Sequence, residues 1–257
     1  MHNENLEAEW SNGQEVMRKI YEQGTEKYLK NLPEWGKCFV NTHECVVCMD
    51  EGVAHKKMGG LTKFPMAGSG ILFPASSEAE RLKKTAGLMK NLGVSEITSH
   101  GGCGAAGLAY KRDNQGTEPT SEQMDNLAID WAKKLADKLG ARYRHVALTE
   151  MARPAEFHSA RVVYFDGTGK FNPSADGLPM GFVISRAYLP AEYATEELKV
   201  AVNIAFGHHG FGELFTTENP FVIIVLGSGE LADEATAAFK DDKNYLEGRI
   251  KVESVTV

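Results

Sequence analysis

Two apolar runs, each ending in metal-ligand chemistry, constrain this chain most. Cys45-Val-Val-Cys48-Met-Asp50-Glu-Gly52 reads as a strand that finishes in a thiol and a carboxylate. Glu96-Ile-Thr-Ser-His100-Gly-Gly-Cys103-Gly-Ala-Ala-Gly107 runs from a strand into a glycine-rich loop carrying an imidazole and a thiol three residues apart. A well-marked helix lies between them. Ser77 and Glu80 form a capping box, Leu82, Ala86, Met89 and Leu92 recur at helical spacing, and Gly93 ends the run. Strand, helix, strand in that order implies a right-handed βαβ unit with parallel strands. Functional groups in such sheets gather at the carboxyl ends of strands, where both ligand-bearing segments fall.

Imidazole and thiolate are ligands that zinc favours, and a catalytic zinc takes three protein ligands and keeps one position for water. Cys48, His100 and Cys103 make such a Cys₂His set, with Asp50 beside it. Gly101, Gly102 and Gly104 allow the tight backbone that lets His100 and Cys103 converge on one ion. The bland alternative is a glycine-rich turn with a buried thiol and a hydrogen-bonded histidine. Cys45 and Cys48 form a C-x-x-C pair, but Met-Asp-Glu-Gly-Val offers no evident helix start for a redox motif, and strand residues three apart face opposite ways. Cys45 and Cys38 therefore read as core. The glycine loop could cradle a phosphate, yet it lacks the Gly-Lys-Ser/Thr ending of a nucleotide loop.

The rest of the chain reads as follows. Residues 5–30 look helical with a sparse apolar stripe (Trp10, Val16, Ile20, Tyr21) that could pack on the main domain or on a second subunit. A polar loop, 111–119, leads to a helix capped by Thr120 and Gln123, with Met124, Leu127, Ala128, Trp131 and Leu135 on one face and Gly140 at its end. Arg142–Leu148 is an expected strand, and residues 161–171 read as a hairpin around Asp-Gly-Thr-Gly. Residues 172–181, bearing proline and glycine, are the expected boundary. Beyond them come strand 182–185, helix 196–206, the loop Gly207-His-His-Gly-Phe-Gly212, strand 221–226 and a short helix after Gly229. A degenerate repeat of the first strand–helix–strand is conceivable there, although the residue match is too poor to claim one. His208 and His209 read as polar loop residues, with a second metal as the alternative; His55 reads as part of a solvated basic loop.

The expected division is an N-terminal helical arm over 1–34, a zinc-binding α/β domain over 35–177, and a C-terminal α/β extension over 178–257. The fold class is α/β, with a mostly parallel central sheet flanked by helices. A net charge of −7 argues against a general nucleic-acid binder. No apolar run approaches the ~20 residues of a membrane span. The start, MHNENLEAEW, is acidic and polar, unlike a secretory signal, so a cytoplasmic location is expected. Four cysteines do not make a disulfide scaffold, and a reducing compartment would leave thiolates for metal.

At this point the sequence resembles the β-class carbonic anhydrases, whose pattern is Cys-x-Asp-x-Arg at one strand end and His-x-x-Cys-Gly at another. Cys48-Met-Asp50 and His100-Gly-Gly-Cys103-Gly104 match it, and Ala67-Gly68-Ser-Gly70 is similar to the family's Asn-Ala-Gly segment. The likeness extends over residues 35–171. It implies a zinc held by Cys48, His100 and Cys103, hydration of carbon dioxide (or a related small substrate such as carbonyl sulfide) by zinc-bound hydroxide, and a homodimer using its N-terminal helices. Asp50 would orient the hydroxide. One departure has consequences: the family's arginine, which holds the aspartate off the metal, is Gly52 here. Without it Asp50 is expected to bind zinc directly and to lower activity. The alternative class is a non-catalytic structural or regulatory zinc module.

Overall fold

The structure, a computed structural model, describes residues 4–257. Residues 1–3 of the expected N-terminal arm lie outside the described residues. The chain forms two compact units: a middle unit, residues 40–152, and a flanking unit made of 1–39 together with 153–257. The fold class is α/β, with two four-stranded, wholly parallel sheets.

In the middle unit the strands are β1 (Cys45–Val47), β2 (Lys63–Pro65), β3 (Glu96–His100) and β4 (Arg142–Val146), in the order β2-β1-β3-β4. The first three are buried throughout, as parallel strands covered on both faces must be. The chain leaves β1 toward β2 on one side and enters β3 on the other, so the carboxyl ends of β1 and β3 flank a topological switch point. Helix α4 (Glu78–Asn91) starts where Ser77 Oγ accepts the Glu80 amide, and α6 (Ser121–Leu139) carries the full Thr120–Gln123 capping box. Gly140, in the left-handed region at φ 66°, ends α6.

Two short helices fill stretches that the sequence suggests are loop. Helix α3 (Glu51–Ala54) follows Asp50 directly, and α5 (Gly104–Asp113) follows Cys103. Gly107 of α5 serves packing rather than turning. A Cβ at Gly107 would lie 2.9 Å from Met124 Sδ of α6, so glycine permits the close helix approach.

The flanking unit repeats the topology. Its strands β5 (Val162–Asp166), β6 (Gly181–Ile184), β7 (Phe221–Leu226) and β8 (Ile250–Val255) run in the order β6-β5-β7-β8. Helix α7 (Ala191–Phe206) connects β6 to β7, and α8 (Gly229–Ala237) and α9 (Lys243–Leu246) connect β7 to β8. The expected hairpin over 161–171 does not form. Asp166 folds its own turn, accepting from Thr168 N and Oγ1 and from Phe171 N, while Phe171 bridges back to Phe39. The break expected at 177–178 falls between β5 and β6, which pair directly, so the units divide at 39–40 and 152–153 instead.

Helix α1 (Glu4–Gln23), with α2 (Thr25–Lys30) behind it, belongs to this same unit. Met17 and Ile20 are buried, and Trp10 stands edge-on to Phe211 and Phe215 at 5.0 and 5.4 Å. The guanidinium of buried Arg161 lies 3.2 Å from the Trp10 ring centre and donates to Trp10 O. The apolar stripe that prompted the expectation of a second subunit is thus covered within its own unit.

Candidate metal centre

Cys48 comes one residue after β1, His100 is the last residue of β3, and Cys103 is the N-cap of α5. Their ligand atoms lie within 4.8 Å of one another. All three side chains are buried: Cys48 is 5%, His100 2% and Cys103 1% exposed. The strand ends bring β1 and β3 side by side, and a short turn carries the chain from His100 to Cys103. Gly101 N donates to Val146 O, Gly102 adopts φ 66° and donates to Asp125 Oδ1, and α5 then begins.

His100 is presented as a metal ligand is. Its Nδ1–H donates to Gly101 O at 2.9 Å, which fixes the ring and turns Nε2 toward the sulfurs. Nε2 is buried and has no hydrogen-bond partner. An orphaned imidazole nitrogen between two thiols is costly unless a cation completes it. Burial alone would lower the His100 pKa, but the Cys48 sulfur and the Asp50 carboxylate outweigh it and bring it up to about 9. The local field therefore draws a cation, whether a proton or a metal. Of the two facing thiols, Cys103 is the more acidic. The contact with Cys48 lowers it, and so do the amides of Ala106 and Ala105 at the start of α5, against the burial that opposes them. The same contact, with burial, pushes Cys48 well up. Two thiols and one imidazole nitrogen in a buried cluster form a group that could hold a metal ion, and this donor set is one that zinc accepts.

Asp50 is buried beside this cluster but is not part of the mutually close set. Its charge acts on both His100 and Cys103. One oxygen, Oδ1, caps α3 by accepting the Gly52 amide at 2.8 Å. The expectation that position 52 offers Asp50 no restraint is therefore corrected: its backbone supplies a donor where a side chain does not. Gly52 itself lies within α3 and has no left-handed φ.

The other sequence candidates sit elsewhere. Cys45 points away from the trio, with Sγ 3.8 Å from Glu96 Oε1; burial and that carboxylate raise its thiol to about 12, which leaves it inert. A helix does follow the C-x-x-C pair, contrary to the sequence reading, but only Cys48 faces the cluster. Cys38 is a buried core residue of the flanking unit. His208 and His209 line a cleft of about 550 Å³ in the flanking unit, along with Phe206, Phe211 and Glu213. They belong to no close group of candidate ligands among the described residues. His55 ends α3. The backbone around the Cys48 sulfur was not foreseen as functional. Gly68 N donates to Cys48 Sγ at 3.2 Å, and only the likeness of the Ala67–Gly70 segment to a family motif hinted at it.

Among the described residues no helix is long and apolar enough to cross a membrane. Comparison of the chain with family models, with curated proteins and with solved structures finds no match. The likeness to β-class carbonic anhydrases accordingly rests on the residues quoted above.

Proposed function

We propose that the middle unit binds one zinc ion and that the protein is a hydratase of β-carbonic-anhydrase type, acting on carbon dioxide or a related small electrophile. The observation that supports this best is the convergence of Cys48 Sγ, His100 Nε2 and Cys103 Sγ at the switch point of a parallel sheet, with Nε2 buried and unpartnered. Zinc held by three protein ligands supplies a Lewis acid that lowers the pKa of water to about 7. The two thiolates offset its charge, and His100, fixed through Gly101, completes the set. Asp50, held at Oδ1 by the Gly52 amide, would accept the hydrogen bond of the reacting water and so orient it. Burial of the cluster keeps bulk water from competing with substrate.

A second reading has its own observation. Three ligands that are 5% exposed or less suit a structural or regulatory zinc module. In that reading Asp50 turns to the metal as the fourth ligand, and a closed site cannot activate water. Stopped-flow measurement of carbon dioxide hydration by zinc-loaded protein separates the two. Hydration above the buffer rate that His100→Ala abolishes supports the hydratase. Bound zinc with no hydration, in the unmodified protein and in Asp50→Ala alike, leaves the structural module.

A further inference from the structure

Building on the zinc reading above, we infer that Trp131 and Ser69 are positioning residues for the metal centre, acting through the Gly68 amide on the Cys48 sulfur. The turn over Ala67–Gly70 contains two successive left-handed residues, Gly68 (φ 51°, ψ 35°) and Ser69 (φ 53°, ψ 35°). A left-handed serine is uncommon and persists only where its surroundings over-determine it. Two side-chain hydrogen bonds do so here. Trp131 of α6 donates its indole N–H to Ser69 O at 3.0 Å, and Ser69 Oγ donates to Thr98 O of β3 at 2.6 Å. Thr98 Oγ1 in turn donates to Val46 O of β1 at 2.8 Å, tying the two ligand-bearing strands together.

The outcome of this geometry is a backbone pressed against the ligands. A Cβ on Gly68 would lie 2.7 Å from Ile71 Cγ2, 2.9 Å from Ala105 Cβ and 3.5 Å from Cys103 Sγ, so only glycine fits. From there Gly68 N–H reaches Cys48 Sγ. An N–H donor on a thiolate withdraws electron density from it and fixes its direction, as outer-shell partners of metal ligands do. The indole N–H of Trp131 is given to Ser69 O. The network therefore runs from α6 through the left-handed turn to the sulfur.

The test uses the full chain loaded with cobalt(II), whose thiolate charge-transfer absorption reports electron density on the coordinating sulfur. Trp131→Phe keeps the apolar bulk and deletes only the indole donor. Ser69→Gly suits the left-handed backbone and deletes the bond to Thr98. Each variant is expected to bind cobalt about 10-fold or more weakly by chelator competition, and to shift the charge-transfer band to longer wavelength. A shift of this kind is not produced by a general loss of stability. If one variant fails to fold, the other decides. Unmodified affinity and an unmoved band in a folded variant overturn the inference while leaving the metal site intact. Failure of the unmodified protein to take up cobalt overturns the zinc reading itself.

Discussion

The middle sheet and the flanking sheet share strand order and direction, β2-β1-β3-β4 against β6-β5-β7-β8, and differ in what stands at the switch point. Where β3 ends in His100 and Cys103 caps α5, β7 ends in Leu226 and Ser228 caps α8. Where β1 is followed by Cys48 and Asp50, β5 ends in Asp166, whose carboxylate is taken up by Thr168 and Phe171. Gly167 N donates to Leu226 O, which closes the two strand ends on each other, and Leu231 packs over Gly167 so tightly that a Cβ there would lie 2.4 Å from it. The same topology thus holds a buried cluster of two thiols and an imidazole in one unit and apolar contacts in the other. The two units share a scaffold, and the candidate site stands in one of them alone.

Removing the candidate ligands should have the largest effect. Cys48→Ala, His100→Ala and Cys103→Ala are each expected to take bound zinc from about one per chain to almost none. Ser228→Ala, at the matching place in the other sheet, should leave zinc content unchanged and, as Ser228 makes no side-chain cap, alter stability by less than about 0.5 kcal/mol. Chelation comes next. Zinc present at a thousand times its dissociation constant stabilises the fold by about 4 kcal/mol, so stripping it should lower the thermal midpoint of the unmodified protein and not that of Cys48→Ala.

A change confined to the flanking unit should do the reverse. Trp10→Ala removes the ring stacked on Arg161 and set against Phe211 and Phe215, at a cost of about 2–3 kcal/mol, with zinc content unaltered. Zinc binding should also depend on pH. With His100 raised to about 9 in the metal-free protein, its imidazolium must lose a proton before Nε2 can ligate. Zinc affinity should therefore climb as pH rises toward about 9, by about tenfold per unit for this one proton, and this group should add nothing above it. Calorimetry at neutral pH in buffers of different ionisation heat should register proton release on binding.

Much of the middle unit was legible because its signals are local. Cys45–Val47 reads as a strand from its apolar run, the strand expected over 94–99 from its place after a capped helix, and α4 and α6 from caps and spacing. The closeness of Cys48, His100 and Cys103 was legible because thiols, imidazole and glycines crowd the two strand ends. Other features depend on distant partners. Gly107 looks like a loop residue until Met124 of α6 is seen to need the space. Asp166 and Thr168 do make a turn, but nothing nearby says that Phe171 will pair with Phe39. The alternating Ile250–Val255 strand is recognisable only beside β7. The likeness of the two sheets lies in strand order, which residue-by-residue matching of Leu226 to His100 or Ser228 to Cys103 does not suggest. The role of Gly52 was misread because its backbone N–H, not a side chain, contacts Asp50.

The central claim is that the β1–β3 switch point is a Cys₂His zinc site, and zinc K-edge X-ray absorption on the purified chain tests it most directly. The expected first shell is two sulfurs at about 2.3 Å and two nitrogen or oxygen atoms at about 2.0–2.1 Å, lost together in Cys103→Ala. A shell without sulfur, or one that survives in Cys103→Ala, would contradict it.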